Sequence, residues 1–512
     1  MTNLAYACLS LCLLAAGAVL FLKYVHFFQL NSYKHGVQKK WVQEHVEEII
    51  LRGVWALGAV LLINGLGTLG IWLSCLLFLL VLALNIPKKA KKKLVLTARV
   101  KRLGLTYLLI HCLPILLGFC APEGEAYGAL LASFCLTGAP WLLLGADDLN
   151  RPMEKAINRR YVREAERLLA DAKGLTVIGV TGSYGKTSVK FFLEKLLSVQ
   201  YNVLVTPENY NTTLGVVRTV RERLKATHEI FVCEMGARNV GDIREICELV
   251  KPRYGVITAI GPQHLESFGS IANVVKTKFE LADALPEDGT LFRNADDENI
   301  RNRKVAVHTV DYGLSRGDFT AQDIRVFEGG SRFTVCGVEF TTRLIGRHNV
   351  LNVCAAIAVA VSLGISPEKL VLPVRRLESV PHRLQLLGSG DRLIIDDAYN
   401  SNPAGAAAAL EALAAFSGLR ILVTPGMVEL GSQQAELNRQ LGLKAASCCD
   451  WAILVGEKHA GPIRAGLLEG GFPPERIAVR ETVEEAVKLA DSLDAGGGRR
   501  IILLENDLPD NY

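Results

Sequence analysis

Apolar residues run almost unbroken through four tracts in the first third of the chain, at 4–22, 53–86, 104–120 and 126–145. Beyond about residue 150 they recur in short blocks between polar and helical-period stretches. A bilayer core asks for about 20 apolar residues per helix, so residues 4–22 with a few neighbours make one span. Met1-Thr2-Asn3 carries no basic n-region and no Ala-x-Ala site closes the tract, which predicts a retained anchor rather than a cleaved signal. The tract from Gly53 to Ile86 is long for one span and short for two. Asn64-Gly65-Leu66-Gly67 lies at its middle, where turn-forming residues can reverse the chain, and the pattern predicts two short spans. Residues 104–120 and 126–145 then form a hairpin across Ala121-Pro122-Glu123-Gly124-Glu125.

Basic residues orient these spans. Lys34, Lys39 and Lys40 occupy one loop; Lys88, Lys89, Lys91, Lys92, Lys93, Arg99, Lys101 and Arg102 crowd another. The positive-inside rule puts both in the cytoplasm, which needs an even number of crossings between them. About five helices over residues 1–150 follow, in a multi-pass protein of a bacterial cell membrane with residues 146–512 cytoplasmic. Membrane lipids are expected partners, and the second basic loop could also attract anionic ones.

From Asn150-Arg151-Pro152 a charged amphipathic linker helix is expected to about residue 172, giving a linker segment at 151–173. Then the period changes. Strands are read at 175–180, 202–205, 229–233, 255–260 and 304–310, with helices at 187–197, 212–224, 241–249 and 270–284. This alternation predicts an α/β domain over 174–383, a mostly parallel sheet with helices on both faces, carrying a small antiparallel section at 319–343 and a helix at 348–363. A second, Rossmann-like α/β domain covers 384–512, with strands at 392–396, 420–424, 451–455 and 500–504, and helices near 403–415, 432–443, 459–469 and 481–494. It has no G-x-G-x-x-G fingerprint.

Half of the 512 residues are hydrophobic, 21% are charged and the mean hydropathy is +0.25, which excludes an entirely soluble protein, a disordered chain and a small disulfide-stapled one. Residues 1–150 hold 13 Lys and Arg against 7 Asp and Glu, whereas 151–512 hold 44 against 45. The formal net charge of +5 is therefore membrane-flank charge, and no nucleic-acid partner is expected. Six of the twelve cysteines fall in the membrane part and the rest lack metal-ligand spacing, the pattern of free thiols in a reducing compartment.

The sharpest local signal is Gly179-Val180-Thr181-Gly182-Ser183-Tyr184-Gly185-Lys186-Thr187, followed by Ser188, between an expected strand and an expected helix. Successive backbone N–H groups in such a bend, with the helix N-terminus, cradle phosphate. Thr181, Gly182, Ser183, Gly185 and Ser188 belong to the cradle. Lys186 can neutralise the β- and γ-phosphates and the Thr187 hydroxyl can ligate Mg²⁺. The spacing departs from the standard pattern, because Val180 stands where its first glycine belongs.

Further motifs share the order of a known family: Glu208-Asn209-Tyr210-Asn211-Thr212-Thr213-Leu214-Gly215, Glu234-Met235-Gly236-Ala237, His264-Leu265-Glu266-Ser267-Phe268-Gly269-Ser270, Asn294-Ala295-Asp296-Asp297, Gly346-Arg347-His348-Asn349-Val350 and Asp396-Asp397-Ala398-Tyr399-Asn400-Ser401-Asn402-Pro403. With the phosphate loop, they make residues 174–500 resemble the Mur ligase family, ATP-dependent enzymes that build the peptidoglycan stem peptide, and most of all its dipeptide-adding member. The resemblance implies ATP and Mg²⁺ as cofactors. It implies Thr187, Glu234, His264 and Lys278 around the metal, with Lys278 carrying a CO₂-derived carbamate, and Lys186, Glu234, His264 and Lys278 as the catalytic group. Asn294, Asn349, Arg383 and Asp397 match nucleotide-binding positions. Asn209, Asn211 and Thr212 match the acceptor side, Met427 and Glu429 lie in the loop matching the side of the incoming amine, and Tyr399, Asn400 and Asn402 are expected substrate-binding residues. His348 can be read equally as packing or as a ligand contact.

Departures bound what the resemblance carries. Membrane tracts stand where the family has a nucleotide-sugar-binding domain, and no Lys-Gly-Ser-Arg-like motif follows the last strand, which runs into Leu503-Leu504-Glu505-Asn506-Asp507. The aspartate usual before Met427 is missing, and Asn438 stands where histidine is common. Glu505 and Asp507 read equally as an acidic pocket edge or a solvated tail. The expected reaction is ATP-dependent amide formation through an acyl phosphate. It joins an amino acid, small peptide or amine to the carboxylate of a cell-wall or lipid-linked acceptor, with cell-wall biosynthesis proteins as possible partners. A poly-γ-glutamate synthase-like membrane ligase and a non-catalytic scaffold of the same fold are the alternatives.

Overall fold

The structure, a computed structural model, describes residues 2–31, 33–86, 93–120, 124–208, 210–262, 265–399, 401–428 and 430–506. It forms two compact units, Met1–Arg160 and Tyr161–Tyr512.

The first unit comprises α1 (Thr2–Leu30), α2 (His35–Glu44), α3 (Val46–Leu84), α4 (Ala98–Cys120), α5 (Gly124–Thr137) and the start of α6 (Ala139–Asp171). Among the described residues, three helices are long and apolar enough to cross a membrane: Leu4–Leu30, Ile49–Leu84 and Ala98–Leu117. Leu9, Leu13, Leu20 and Tyr24 turn one face of α1 inward, while Leu11, Leu61, Leu105 and Leu109 are more than 60% exposed. An apolar exterior of this kind suits lipid. The reversal expected within 53–86 is present. Gly67 leaves the helical region at φ 53°, ψ −129°, and the Ser74 hydroxyl donates to the Ala59 carbonyl at 3.2 Å. Fifteen residues of straight helix would separate those groups by about 22 Å, so α3 is folded back on itself. At one end of this unit His35 and Arg99 both meet Asp147, at 2.9 and 3.0 Å, and Arg102 grips Glu154 at 2.7 and 2.9 Å. The two basic segments and the start of α6 therefore share that end.

Two expectations are corrected. The tract 126–145 is not one rod: the chain bends by 85° at Gly138, leaving α5 with 14 residues, about 21 Å of helix. Nor does a linker helix start at Asn150. α6 begins at Ala139 and runs through Pro152 to Asp171, and the Asn150 side chain accepts from the Thr106 hydroxyl at 2.9 Å instead of capping.

The second unit holds β1 (Thr176–Thr181), α7 (Lys186–Leu197), β2 (Val203–Val205), α8 (Thr213–Arg223), β3 (Ile230–Glu234), α9 (Asp242–Val250), β4 (Tyr254–Ile257), α10 (Leu265–Phe268), α11 (Ile271–Asp283), β5 (Thr290–Asn294), α12 (Glu298–Arg301), β6 (His308–Gly313) and β7 (Phe319–Thr320). The strands form one parallel sheet in the order β2-β3-β1-β4-β5-β6-β7. Every residue of β3 is buried, which explains its unbroken Ile-Phe-Val-Cys run. Gly179 lets α11 approach β1: a Cβ there would lie 2.7 Å from a Leu281 methyl. An antiparallel trio follows, β8 (Gln322–Phe327), β9 (Gly330–Val335) and β10 (Val338–Thr342), then α13 (Arg347–Ser362), whose alanine-rich length is almost wholly buried, and α14 (Pro367–Arg375). The strand read at 304–310 is shifted to β6, and β5 is additional.

The last sheet has the order β11-β12-β16-β13-β14-β15, built from β11 (Gln385–Ser389), β12 (Arg392–Asp397), β13 (Leu419–Thr424), β14 (Trp451–Val455), β15 (Ile477–Arg480) and β16 (Arg500–Glu505). Only β11 is antiparallel to its neighbour. Its main helices are α15 (Pro403–Ala414), α16 (Gln434–Ala445), α17 (Glu457–Glu469) and α18 (Val483–Ser492). The C-terminal ends of β12, β13 and β16 lie together, where crossovers diverge and ligands of such sheets bind.

Candidate active site

The bend after β1 requires glycine. Gly182 has φ 152° and a Cβ there would meet the Thr258 hydroxyl at 2.1 Å; Gly185, at φ 79°, would push a Cβ to 2.6 Å from Asn352. Thr181 donates to the Met235 carbonyl at 3.0 Å and Ser183 to Gly261 at 3.1 Å, fastening the loop to the ends of β3 and β4. Lys186 opens α7 and folds its ammonium back onto the Gly182 and Ser183 carbonyls at 2.8 and 3.0 Å. Burial first, then the Arg383 charge, pull its pKa down to about 8, against the opposing pull of Glu234.

Glu234 ends β3 at 1% exposure and faces this loop. Its Oε1 accepts from Thr187 Oγ1 at 3.2 Å and from Asn211 Nδ2 at 2.9 Å. Its Oε2 lies 3.1 Å from Lys190 Nζ as an ion pair without hydrogen-bond geometry. A hydroxyl and a carboxylate oxygen beside a phosphate cradle fit a Mg²⁺ held mainly by nucleotide oxygens and water. Among the described residues no three His, Cys, Asp or Glu side chains form a metal-binding group. Lys278, on α11, is 2% exposed, and burial, then the Lys186 charge, push its pKa well below the ordinary lysine range. An amine so placed is disfavoured as a cation.

A cleft joins this loop to the last domain, lined by Lys186, Thr187, Ser188, Asn349, Arg383 and Asp397 among others. The hinge between α14 and the first strand of the last sheet is strained: His382 and Leu384 have φ 60° and 45°, which costs non-glycine residues about 1 kcal/mol or more each. Two carboxylates hold it. Asp396 Oδ2 contacts His382 Nδ1 at 2.8 Å, and Asp397 Oδ1 accepts from the Leu384 N–H at 3.1 Å. Arg383 between them stacks over the Tyr399 ring, 4.5 Å from its centroid.

The chain's sequence matches two family profiles, the Mur ligase middle domain over residues 180–360 and the Mur ligase glutamate ligase domain over 382–504. It is 35% identical over 307 residues to UDP-N-acetylmuramoyl-tripeptide--D-alanyl-D-alanine ligase of Escherichia coli, covering 57% of this chain and 67% of that one. The enzyme of the same name from Bacillus subtilis is 36% identical over 275 residues, covering 52% and 60%. The fold agrees with MurF from Acinetobacter baumannii (TM-score 0.62, 26% identity, 69% and 78% covered) and with MurF ligase from Thermotoga maritima in complex with ADP (TM-score 0.60, 27% identity, 68% and 79% covered). The chain belongs to the Mur ligase family. It spans between 60% and 67% of the length of the two sequence relatives, and its apolar helices precede both matched profiles.

Within this Mur ligase, the residues expected around the phosphates divide. Thr187, Glu234 and Asn211 meet directly. Asn294 lies at the end of β5, where it donates to the Thr258 carbonyl at 2.9 Å and accepts from the Asp296 N–H, so it braces the wall behind the loop. Asn349 lines the cleft and donates to Ile345. Thr212 caps α8 and Asn402 caps α15. His348 borders the cleft with its Nδ1 buried and unpartnered; burial and the Arg383 charge push its pKa down to about 4. Asn209, His264, Asn400, Glu429 and Asp507 lie outside the described residues.

On the amine side, the Met427 side chain is 1% exposed within the last domain's core, so it supports its loop rather than facing the cleft. Asn438 clamps that loop, bonding the Met427 N–H and carbonyl at 2.8 and 2.9 Å. Glu505 is neither a solvated tail nor an open pocket edge. It is 1% exposed and accepts from the Thr424 hydroxyl at 2.6 Å and from the Ser401 hydroxyl. Sequence reasoning missed Lys190, wholly buried one turn after Lys186. Its signal was available: position 190 lies on the same helical face as Lys186 and Leu193, the face that α7 turns inward.

Proposed function

We propose that this protein is a membrane-anchored, ATP-dependent carboxylate–amine ligase working on a cell-wall precursor through an acyl phosphate. The observation that carries this reading is the Thr187–Glu234 pair at the mouth of the phosphate loop, in a cleft shared with the hinge residues Arg383 and Asp397. An acceptor carboxylate attacks the γ-phosphorus of ATP, releasing ADP and leaving an acyl phosphate. An amine then attacks the acyl carbon, and inorganic phosphate and a proton depart. Lys186 and the loop amides clamp the transferred group. Thr187 and Glu234 would hold Mg²⁺, which would supply charge stabilisation to the phosphates. Closure through the Arg383 hinge keeps water from the acyl phosphate.

Lys278 is the residue for carbamylation: its buried amine, disfavoured as a cation, can in its neutral form add CO₂ with loss of one proton, which would place an anion beside Lys186. His264 completes the set by family resemblance alone. Asn211 and Thr212 shape the acceptor side; Tyr399 and Asn402 border the amine side. The spans read as five, with α3 counted as two and the N-terminus outside. The fold-back at Gly67 and the contacts of His35, Arg99 and Arg102 with the start of α6 support an even number of crossings between the basic loops. An anchored enzyme meets lipid-borne carboxylates at raised effective concentration, so the acceptor is lipid-linked.

Purified protein in nanodiscs, given ATP, candidate amines and matched soluble and lipid-linked precursors, tests the reading. Release of ADP and phosphate with amide formation is expected, faster on the lipid-linked form. AMP and pyrophosphate would refute the acyl-phosphate route, and equal turnover of both acceptors would refute selection by the membrane segment.

A further inference from the structure

We infer that Lys190 is a positioning residue that acts as a stand-in cation for the metal, so that divalent metal and the acceptor-side loop compete for Glu234. The inference rests on the ligase reading above. A lysine at 0% exposure is costly to desolvate unless it is paired. Its ammonium lies over the Phe191 ring, 4.6 Å from the centroid, and has two oxygen partners. It lies 3.1 Å from Glu234 Oε2 and donates to the Glu208 carbonyl at 2.7 Å. Glu208 is held at φ 42°, a left-handed conformation unfavourable for glutamate, and that bond helps to retain it. Three residues on, Asn211 returns to the same carboxylate: its amide donates to Oε1 at 2.9 Å, and its carbonyl accepts from the Gly236 N–H at 2.7 Å.

The acceptor-side loop is thus fastened twice to one carboxylate, through Lys190 and through Asn211. The oxygen shared with Asn211 is also the one that Thr187 reaches at 3.2 Å, where the metal would bind. A divalent ion there repels Lys190. Inside a buried site this repulsion is weakly screened, and a doubly charged ion feels twice the force of a unit charge at the same distance. Loss of the carboxylate's preferred rotamer when Lys190 is removed is the smaller effect. Charge wins, and removal of Lys190 tightens metal binding. A lysine that merely oriented Glu234 would have the opposite effect.

The test is the Mg²⁺ concentration for half-maximal AMP-PNP binding by full-length protein in nanodiscs, compared between wild type and variants at one pH near 7.5. Lys190→Met is expected to lower it about tenfold or more, and Lys190→Arg to leave it near the wild-type value. Equal or higher Mg²⁺ demand in Lys190→Met overturns the inference alone; no AMP-PNP binding by the wild type overturns the nucleotide reading and the inference with it. A second measurement needs no variant. Hydrogen exchange of the 203–215 peptide in the wild type is expected to be at least threefold faster with Mg²⁺ and AMP-PNP than with AMP-PNP and EDTA. Unchanged or slower exchange overturns the inference.

Discussion

Asp397→Asn should stabilise the last domain at alkaline pH while it disables the enzyme. Asp397 ends β12 at the cleft, partly exposed, and loss of solvent around it is the first cause that pushes its pKa up to about 7, with the Glu505 and Asp396 charges adding to it and Arg383 opposing. An unfolded aspartate titrates near 4. The folded form therefore binds the proton more tightly, and stability falls as pH rises from about 4 through 7 and is level above. Three pKa units at 1.36 kcal/mol each set an upper limit of about 4 kcal/mol for the alkaline cost, falling below about 2 kcal/mol by pH 5. Asparagine keeps the shape and the oxygen that accepts from the Leu384 N–H at 3.1 Å, but it never ionises. Its gain over the wild type should be about 2–3 kcal/mol larger at pH 8 than at pH 5. Trp451, the single tryptophan beyond residue 160, reports unfolding of this domain by fluorescence against a Trp451→Phe background. A gain equal at both pH values, or a loss at pH 8, would refute the argument that an ionised carboxylate is held there under strain.

Lys186→Ala should abolish ATP use, whereas Lys278→Ala should impair ligation with less effect on nucleotide affinity, and added bicarbonate or a short carboxylic acid should partly restore the second variant; nucleotide titration and product release separate the two. Asn438→Ala strips the Met427 loop of its amide clamp and should cost about 2–3 kcal/mol in urea unfolding of the last domain, an effect under 0.5 kcal/mol counting against the clamp. Reporter fusions after Lys40, Asn64, Lys93, Glu123 and Arg151 should alternate in, out, in, out, in, and a shared side for Asn64 and Lys93 would exclude a hairpin in α3.

Local chemistry made half of the site legible. Gly182, Gly185, Lys186 and Thr187 are contiguous, and Glu234 stands out because a wholly apolar strand stops on it. The α3 reversal was visible for the same reason, since Asn64 to Gly67 carries its own turn signal. Elements without such a signal were missed. β5 is five residues with Arg293 the fourth, and that arginine is accommodated in the strand by Asp311 of β6, which pairs with it at 2.8 and 3.0 Å. β15 is a four-residue edge strand with no fully buried position, and α14 contains Pro373. The break at Gly138 is one glycine in an otherwise uniform apolar tract, and periodicity cannot see it.

The last domain's half of the site was illegible for a deeper reason: its groups meet only through strand pairing. Asp397 and Glu505 are 108 residues apart in sequence, yet the parallel register of β12 and β16 sets them side by side, and the Glu505 charge raises the cost of ionising Asp397. In sequence, Glu505 is one acidic residue before an acidic terminus; in the fold it is a buried group whose two oxygens hold Ser401 and Thr424. Ser401 N–H in turn bonds Asn506, whose amide reaches the Gly426 carbonyl at 2.5 Å. One carboxylate thus ties the loop after β12 to the loop after β13, the two segments between which an incoming amine would pass. Among the described residues at this end of the sheet, Arg383 is the cation that lines the cleft beside Asp397.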